Sequence, residues 1–116
     1  MKFETTTFSG CRNKIILIFG YDEYYKTAKG ETKIEEIESF FNSAFSCLEK
    51  MKSDKGLNEK DYSYTKEYLE SYLSCFRYVS EIGKEIREKG VSNVSVSKEI
   101  DYSAQCELSK YIDEIA

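Results

Sequence analysis

Very few side chains in this sequence have the type and setting that covalent chemistry requires. Cys11 stands beside Arg12, and a neighbouring cation can lower the pKa of a thiol, so a redox or modification role for Cys11 stays open. The chain has no histidine to act as general base. A thiol phosphatase would need an arginine six residues after the cysteine, where this chain has Leu17. A protease-type or phosphatase-type cysteine is therefore not supported.

Metal and phosphate sites also lack their usual spacing. The four cysteines are Cys11, Cys47, Cys75 and Cys106, and the closest two are 28 positions apart, whereas zinc motifs pair cysteines about two to four residues apart. The six glycines are scattered and form neither a dinucleotide-binding nor a P-loop fingerprint. The adjacent acids Asp22 and Glu23 resemble any other pair among the 21 acidic residues. We predict no metal, no cofactor and no enzyme activity.

Tyrosine is the residue type that stands out. The chain has ten tyrosines, and five of them fall between Tyr62 and Tyr78. This stretch belongs to a predicted helix from Asn58 to Lys89 that Gly90 terminates. Its principal apolar stripe is accompanied by a second line about 100° away on the helical wheel. The second line consists of Tyr64, Tyr68, Cys75 and Ile82, and Tyr78 lies almost opposite the principal stripe.

The remaining elements are predicted from periodicity and turn residues. Thr32 and Glu35 form a capping box before an apolar stripe from Ile34 to Met51, which predicts a second long helix that Gly56 ends. Lys2–Phe8 and Lys14–Phe19 are typical of an antiparallel hairpin. Residues 20–31 fit either a third strand or a loop. Val94, Val96 and Ile100 alternate as in a strand, and a short C-terminal helix follows with Asp101 as its cap.

These elements predict one α+β domain in the order β-β-α-α-β-α. We expect a small antiparallel or mixed sheet covered by two long amphipathic helices and a short C-terminal one. A chain of 116 residues is long enough to bury a core without disulfides or metal.

Charge and hydropathy exclude several partners. The net charge is −4 and only three arginines are present, which argues against direct binding of nucleic acid. The longest apolar run is Ile15–Phe19, far below the roughly 20 residues of a membrane span and too short for a signal-peptide core. The expected location is the cytoplasm, with the cysteines as thiols.

The length and the second apolar line of the 58–89 helix provide the main lead on function. The helix should be about 45 Å long, which exceeds the diameter of about 35 Å of a compact domain of this size. Three partners could bury the second line: the rest of the domain, a second copy of the chain in a homodimer, or another macromolecule. Tyrosine suits an interface because it supplies a large contact area with few torsions to freeze. A second aromatic and acidic group near the N-terminus could receive a basic partner. The predicted partner-binding residues are Tyr64, Tyr68, Ile82, Tyr78, Tyr21, Tyr24, Tyr25, Asp22 and Glu23.

We interpret the chain as a small cytoplasmic protein-interaction module, such as an inhibitor, an immunity-type protein or an adaptor. Phages and mobile elements encode many compact proteins that block larger enzymes, and anti-CRISPR-like inhibition is one form of this function, although no motif here indicates it. The alternative is a small-molecule or nucleotide binding module with a tyrosine-lined cleft. In that case Arg12, Lys14, Lys26 and Arg77 would supply contacts to an anionic ligand.

Overall fold

The computed structural model describes residues 4–8, 14–18, 23–55, 57–96 and 100–115. Two short strands at the beginning of the chain are followed by four α-helices. The elements are β1 (Glu4–Phe8), β2 (Lys14–Ile18), α1 (Glu23–Lys29), α2 (Ile34–Lys55), α3 (Glu59–Lys89), a 3₁₀ turn (Val91–Asn93) and α4 (Tyr102–Ile115).

The predicted α+β class is wrong, because the described core is made by helices packed on helices. Every buried hydrophobic side chain in that core belongs to α1, α2, α3 or α4. β1 and β2 pair only with each other, as an antiparallel hairpin in which Thr6 is opposite Ile16. Among the described residues there is no larger sheet on which the helices could pack. The fold is therefore a helical body.

The predicted third strand is also not formed. Val94 and Val96 lie in a segment without regular secondary structure, and residues 97–99 lie outside the described part of the chain. Val94, Val96 and Ile100 are half-buried against the helical core. Their alternation therefore reflects burial against helices, and no described strand pairs with Val94 or Val96.

The tyrosine-bearing stretch for which we predicted a strand or a loop contains the helix α1. Tyr24 and Ala28, four residues apart, are both buried and face the core. Tyr24, Tyr25 and Thr27 are residue types that favour strands when judged alone. Packing of α1 against α3 and α4 overrides that preference, since a tertiary contact outweighs a propensity of a few tenths of a kcal/mol.

The helix α2 follows the predicted stripe but not the predicted cap. Ile37, Phe41, Ala44, Leu48 and Met51 are buried along one face, as expected. The Thr32 hydroxyl donates to Glu23 Oε2 at 3.4 Å, and the first turn of the helix is closed by the Lys33 carbonyl, which accepts from the Glu36 amide at 3.0 Å. The predicted stop, Gly56, lies outside the described residues.

The helix α3 is the longest element, and both of its predicted ends are confirmed. Asn58 is the N-cap and accepts the Asp61 amide at 2.8 Å through Oδ1, while Gly90 ends the helix with φ +87°. The 31 residues span about 46 Å at 1.5 Å per residue, nearly the full 50 Å length of the molecule. The helix continues through Gly83 without a break, and Ala28 of α1 packs directly against this glycine.

Candidate functional site

The second apolar line of α3 changes from exposed to buried along the helix. Tyr64 is 72% exposed and Tyr68 is 48% exposed. Cys75, about two turns beyond Tyr68, and Tyr78, nearly three turns beyond it, are half-buried, and Ile82, about four turns beyond it, is only 8% exposed. The apolar excess predicted from the sequence is therefore present, but only its N-terminal half faces solvent.

The rest of the chain accounts for this gradient. The segment that follows α3 turns back along the helix, and the Tyr78 hydroxyl donates to the Ser95 carbonyl oxygen at 3.4 Å. On α1, Ala28 lies against Gly83, where an added Cβ would meet the Ala28 carbonyl oxygen at 2.1 Å. These elements cover the C-terminal half of the second line, including Ile82. Tyr64 and Tyr68 lie beyond this cover, at the other end of the helix.

An open groove of about 870 Å³ begins at Tyr68, next to the exposed part of the second line. It lies between the middle of α3 and the start of α4, and α1 contributes one residue to it. Its lining residues are Tyr24, Tyr68, Ser71, Tyr72, Ser74, Cys75, Tyr78, Ile100, Asp101 and Ser103. We call this feature the tyrosine groove.

Aromatic packing fixes part of the groove wall to the core. The Tyr72 ring stacks on Phe76 with centroids 5.5 Å apart, and Tyr24 stacks on Phe76 at 4.4 Å. Tyr68 meets Tyr72 edge to face, with a centroid distance of 5.9 Å and an angle of 71° between the ring planes. Because Phe76 is fully buried, two of the tyrosines that line the groove are held by the interior, and only Tyr68 projects from the surface.

The electrostatics of the groove favour neutral phenols and one carboxylate. Burial, followed by the neighbouring Tyr72, Cys75 and Asp101, raises the pKa of Tyr24 well above its ordinary value. Burial, followed by Tyr68 and Asp101, raises the pKa of Tyr72 in the same direction. Among the described lining residues, Asp101 is the only carboxylate, and none is a lysine or an arginine. The groove can therefore offer hydroxyl groups, ring faces and one negative charge.

The aromatic and acidic group predicted near the N-terminus does not form an exposed patch in its described part. Glu23 and Tyr24 are 2% and 8% exposed, so neither is available to a partner. Tyr25 is half-buried, its hydroxyl donates to Glu114, and Lys29 and Lys110 lie 4.9 and 4.4 Å from its ring centroid. These contacts join α1 to α4. The other two predicted members, Tyr21 and Asp22, lie outside the described residues.

The basic residues predicted to hold an anionic ligand do not meet at the groove. Arg77 on α3 pairs with Glu38 of α2, at 2.9 Å from Nη2 to Oε2. Lys26 lies on α1, where its carbonyl accepts the amides of Glu31 and Thr32, and it does not line the groove. Arg12 and the side chain of Lys14 lie outside the described part. The described residues therefore provide no assembled anion site.

The sequence did not predict which residues form the wall of the groove opposite α3. The predicted helix cap Asp101 is confirmed, since the Ser103 amide donates to Asp101 Oδ2 at 3.1 Å. No local pattern indicates that Ile100, Asp101 and Ser103 would face Tyr68 and Tyr72, which lie about 30 positions earlier in the chain. That juxtaposition depends on long-range packing: Val94, Val96 and Ile100 lie against the helical core, and Tyr78 donates to the Ser95 carbonyl oxygen.

Comparisons with known proteins provide no relative from which a role could be taken. No protein-family model matches the chain, and neither a curated protein nor a solved structure matches it at a significant level. In the part of the chain that the structure describes, no helix is both long enough and apolar enough to cross a bilayer. Within the same ranges, no group of three or more cysteine, aspartate or glutamate residues is arranged to hold a metal ion.

Proposed function

We propose that this protein is a protein-interaction module that acts by covering a surface of a partner, as an inhibitor, an immunity-type protein or an adaptor does. The observation that carries the proposal is the exposure of Tyr64 and Tyr68 on one face of a continuous 31-residue helix. Ile82, Tyr24 and Glu23 are buried and do not take part. The interaction surface consists of Tyr64, Tyr68 and the exposed part of the adjoining tyrosine groove.

Energetics support a binding role for these two side chains. A tyrosine buries about 150–250 Å² when it is covered, and at about 25 cal/mol per Å² the apolar part of that area is a substantial contribution to binding. Tyr64 receives little of that gain on folding, because 72% of it remains exposed. Tyrosine is also among the residues that most often dominate the binding energy of an interface. Covering both rings would stabilise a complex without any rearrangement of the core.

We place this activity in the cytoplasm. Cys47, Cys75 and Cys106 are unpaired thiols, and Cys106 is exposed, which suits a reducing compartment. The partner is a protein, because the surface extends from the groove along α3 to Tyr64. Tyr64 does not line the groove, so a small ligand inside the groove would leave Tyr64 uncovered.

The test compares capture of a partner by the wild-type protein and by a Tyr64→Ser, Tyr68→Ser double variant. Each captured protein is identified, purified and measured for direct binding by calorimetry. We expect the double variant to lose at least about tenfold in affinity, since interface tyrosines often cost 1 kcal/mol or more each when truncated. Its melting temperature should remain within about 2 °C, because both side chains are exposed.

Ile115→Ser provides a matched control. Ile115 is 46% exposed at the end of α4, about 20 Å along that helix from Tyr102, so it removes exposed apolar surface away from the groove. This variant should bind like the wild type. If the tyrosine double variant melts at a markedly lower temperature, or binds the purified partner as well as the control does, the two tyrosines are not the interaction surface.

A small-molecule binding module is the second candidate, and the volume of the groove is the observation that favours it. About 870 Å³ falls within the range of about 300–1,000 Å³ typical of ligand sites. The groove also combines ring faces with hydroxyl groups. A ligand of this site should raise the melting temperature of the wild type and of the Tyr64→Ser single variant equally, because Tyr64 does not line the groove. A protein partner should depend on Tyr64.

A further inference from the structure

The composition of the tyrosine groove restricts the chemistry of its occupant. Four tyrosines and three serines line it together with Cys75, Ile100 and Asp101. Asp101 is the one residue in this set that carries a full charge near neutral pH, and the charge is negative. A phosphate or carboxylate group would find no cation among the described lining residues, and it would meet the Asp101 carboxylate.

The arrangement of the rings suits a positive charge. The face of an aromatic ring is negative, so a guanidinium or ammonium group is attracted when it lies within about 6 Å of the centroid. The rings of Tyr68 and Tyr72 are inclined at 71°, with centroids 5.9 Å apart. Tyr24 lies 6.3 Å from Tyr72 but is only 8% exposed, so it takes no part in the contact. Two differently oriented rings beside a carboxylate can hold an organic cation.

The N-terminus of α4 disfavours a cation in the groove, but by less than the Asp101 carboxylate favours one. The N-terminus of a helix carries the equivalent of about half a positive charge. Asp101 caps that end and brings a full negative charge, so the net charge at this wall is negative. One Asp101 oxygen accepts the Ser103 amide, and a carboxylate has further lone pairs that can accept a bond from a cation.

From this chemistry we infer that the groove receives an arginine or lysine side chain of a basic protein partner, which is an extension that rests on the proposed function. The cation enters between Tyr68, Tyr72 and Asp101, while Tyr64 is covered by the neighbouring surface of the same partner. The groove thus determines the charge of the residue that the partner presents. The tyrosines outside it enlarge the contact area.

The test uses two short peptides that differ only in charge, acetyl-Gly-Arg-Gly-amide and the same peptide with citrulline in place of arginine. Binding is followed by amide chemical shifts of the full-length protein in NMR titrations. We expect the arginine peptide to shift the amides of Ser71, Ser74, Cys75 and Ser103 and to bind about fivefold to tenfold more tightly than the citrulline peptide. Equal binding of the two peptides, or no binding of either, would overturn the inference.

Two variants locate the effect. Asp101→Asn removes the charge but keeps a residue that caps helices equally well, so folding should be preserved while the preference for arginine falls by about threefold or more. Tyr68→Leu keeps an apolar side chain and removes the ring. The control is Glu81→Gln, which removes a negative charge from an exposed position of α3 that does not line the groove. If Glu81→Gln weakens binding of the arginine peptide as much as Asp101→Asn does, general charge attraction explains the binding and the inference fails.

The outcomes separate this inference from the proposed function. In one outcome, the Tyr64 and Tyr68 double variant loses the captured partner while the wild type shows no preference for arginine over citrulline. That result would support the interaction module and overturn the inference that a cation occupies the groove. Tighter binding of tetramethylammonium than of the arginine peptide would indicate a small-molecule site and would overturn the assignment to a protein side chain.

Discussion

At the scale of single residues, the ten tyrosines have different surroundings, although their type is the same. Tyr62 and Tyr25 are held by carboxylates and lysines: the Tyr62 hydroxyl donates to Glu49, and Lys52 lies 4.1 Å from its ring centroid. Tyr64 is two residues from Tyr62 and is 72% exposed. On a helix, two positions rotate a side chain by about 200°, which moves it from the core to the solvent. The position on the wheel determines which tyrosines are available for binding.

At Gly83 the packing leaves no room for a side chain. A Cβ at this position would lie 2.1 Å from the Ala28 carbonyl oxygen and 2.7 Å from its Cα, and both are backbone atoms that move only with α1. We predict that Gly83→Ala destabilises the fold by about 1–3 kcal/mol in urea unfolding, because overpacking separates the two helices. In an exposed helix the same change would be stabilising by up to about 1 kcal/mol.

The sign of this effect makes the experiment informative. Glu81→Ala, an exposed position of the same helix, serves as the control and should change stability by less than about 0.5 kcal/mol. A Gly83→Ala variant that is as stable as the wild type would show that α1 does not contact α3 at this point.

The buried tyrosines predict a loss of stability at high pH. Burial raises the pKa of Tyr24 and of Tyr72 above the ordinary value near 10, so the folded protein keeps protons that the unfolded chain releases. Their contribution is complete below about pH 10 and is lost as the pH rises above it. The slope is at most about 1.4 kcal/mol per pH unit for Tyr24, and it is smaller for the half-buried Tyr72 because solvent screens the charge.

Urea unfolding between pH 9 and pH 11.5 measures this slope. Tyr72→Phe should reduce it, since the variant has no phenol to ionise at that position while the ring contact with Phe76 remains possible. Stability that does not fall above pH 10 would contradict the burial of both phenols.

At the scale of secondary-structure elements, local patterns identified the N-terminal hairpin, the two long helices and the C-terminal helix, whereas long-range contacts determined α1 and the segment that follows α3. The bounds of α3 follow from Asn58 and Gly90, and the buried face of α2 follows from its apolar spacing, because caps and periodicity act within a few residues. The helix α1 could not be predicted in this way. Its seven residues include tyrosines and a threonine, and packing against α3 and α4 decides its conformation.

The tyrosine groove illustrates the same limit. Tyr64 and Tyr68 could be predicted from the helical wheel, since the sequence alone shows that they lie outside the principal apolar stripe. Asp101 and Ser103 line the groove, and the described segment that follows α3 contacts this helix where Tyr78 donates to the Ser95 carbonyl oxygen. No pattern within a short window encodes these long-range contacts. The α+β prediction failed for the same reason: Val94 and Val96 alternate, but no described strand pairs with them.

The N-cap of α3 supplies a prediction at this scale. Asn58 accepts the Asp61 amide at 2.8 Å and donates to the Asp61 carboxylate at 2.9 Å. Asn58→Ala should destabilise the protein by about 1 kcal/mol, whereas Asn58→Ser should retain most of the stability because serine caps helices nearly as well. Hydrogen exchange should quicken at the amides of residues 59–62 in the alanine variant. Equal exchange in the two variants would mean that the cap does not hold this end of α3.

At the scale of the whole molecule, α3 gives the protein an elongated form. The radius of gyration is 16.0 Å and the dimensions are 50 × 25 × 20 Å, whereas a compact chain of about this length has a radius of gyration near 13 Å. Elongation leaves the face that carries Tyr64 and Tyr68 without cover from the chain's own described elements.

The last prediction concerns whether a second copy of the chain covers that face. A homodimer through α3 would have to place a cation of one copy in the tyrosine groove of the other. On the described part of α3, Arg77 is already paired with Glu38 at 2.9 Å. Each copy also carries a net charge of −4, which opposes self-association, so we expect a monomer. Sedimentation equilibrium at about 100 µM should give 13.5 kDa, and small-angle scattering should give a radius of gyration near 16.0 Å. A mass of twice that value, returned to the single value by Tyr64→Ser with Tyr68→Ser, would make the second copy the occupant of the surface and would replace the basic partner.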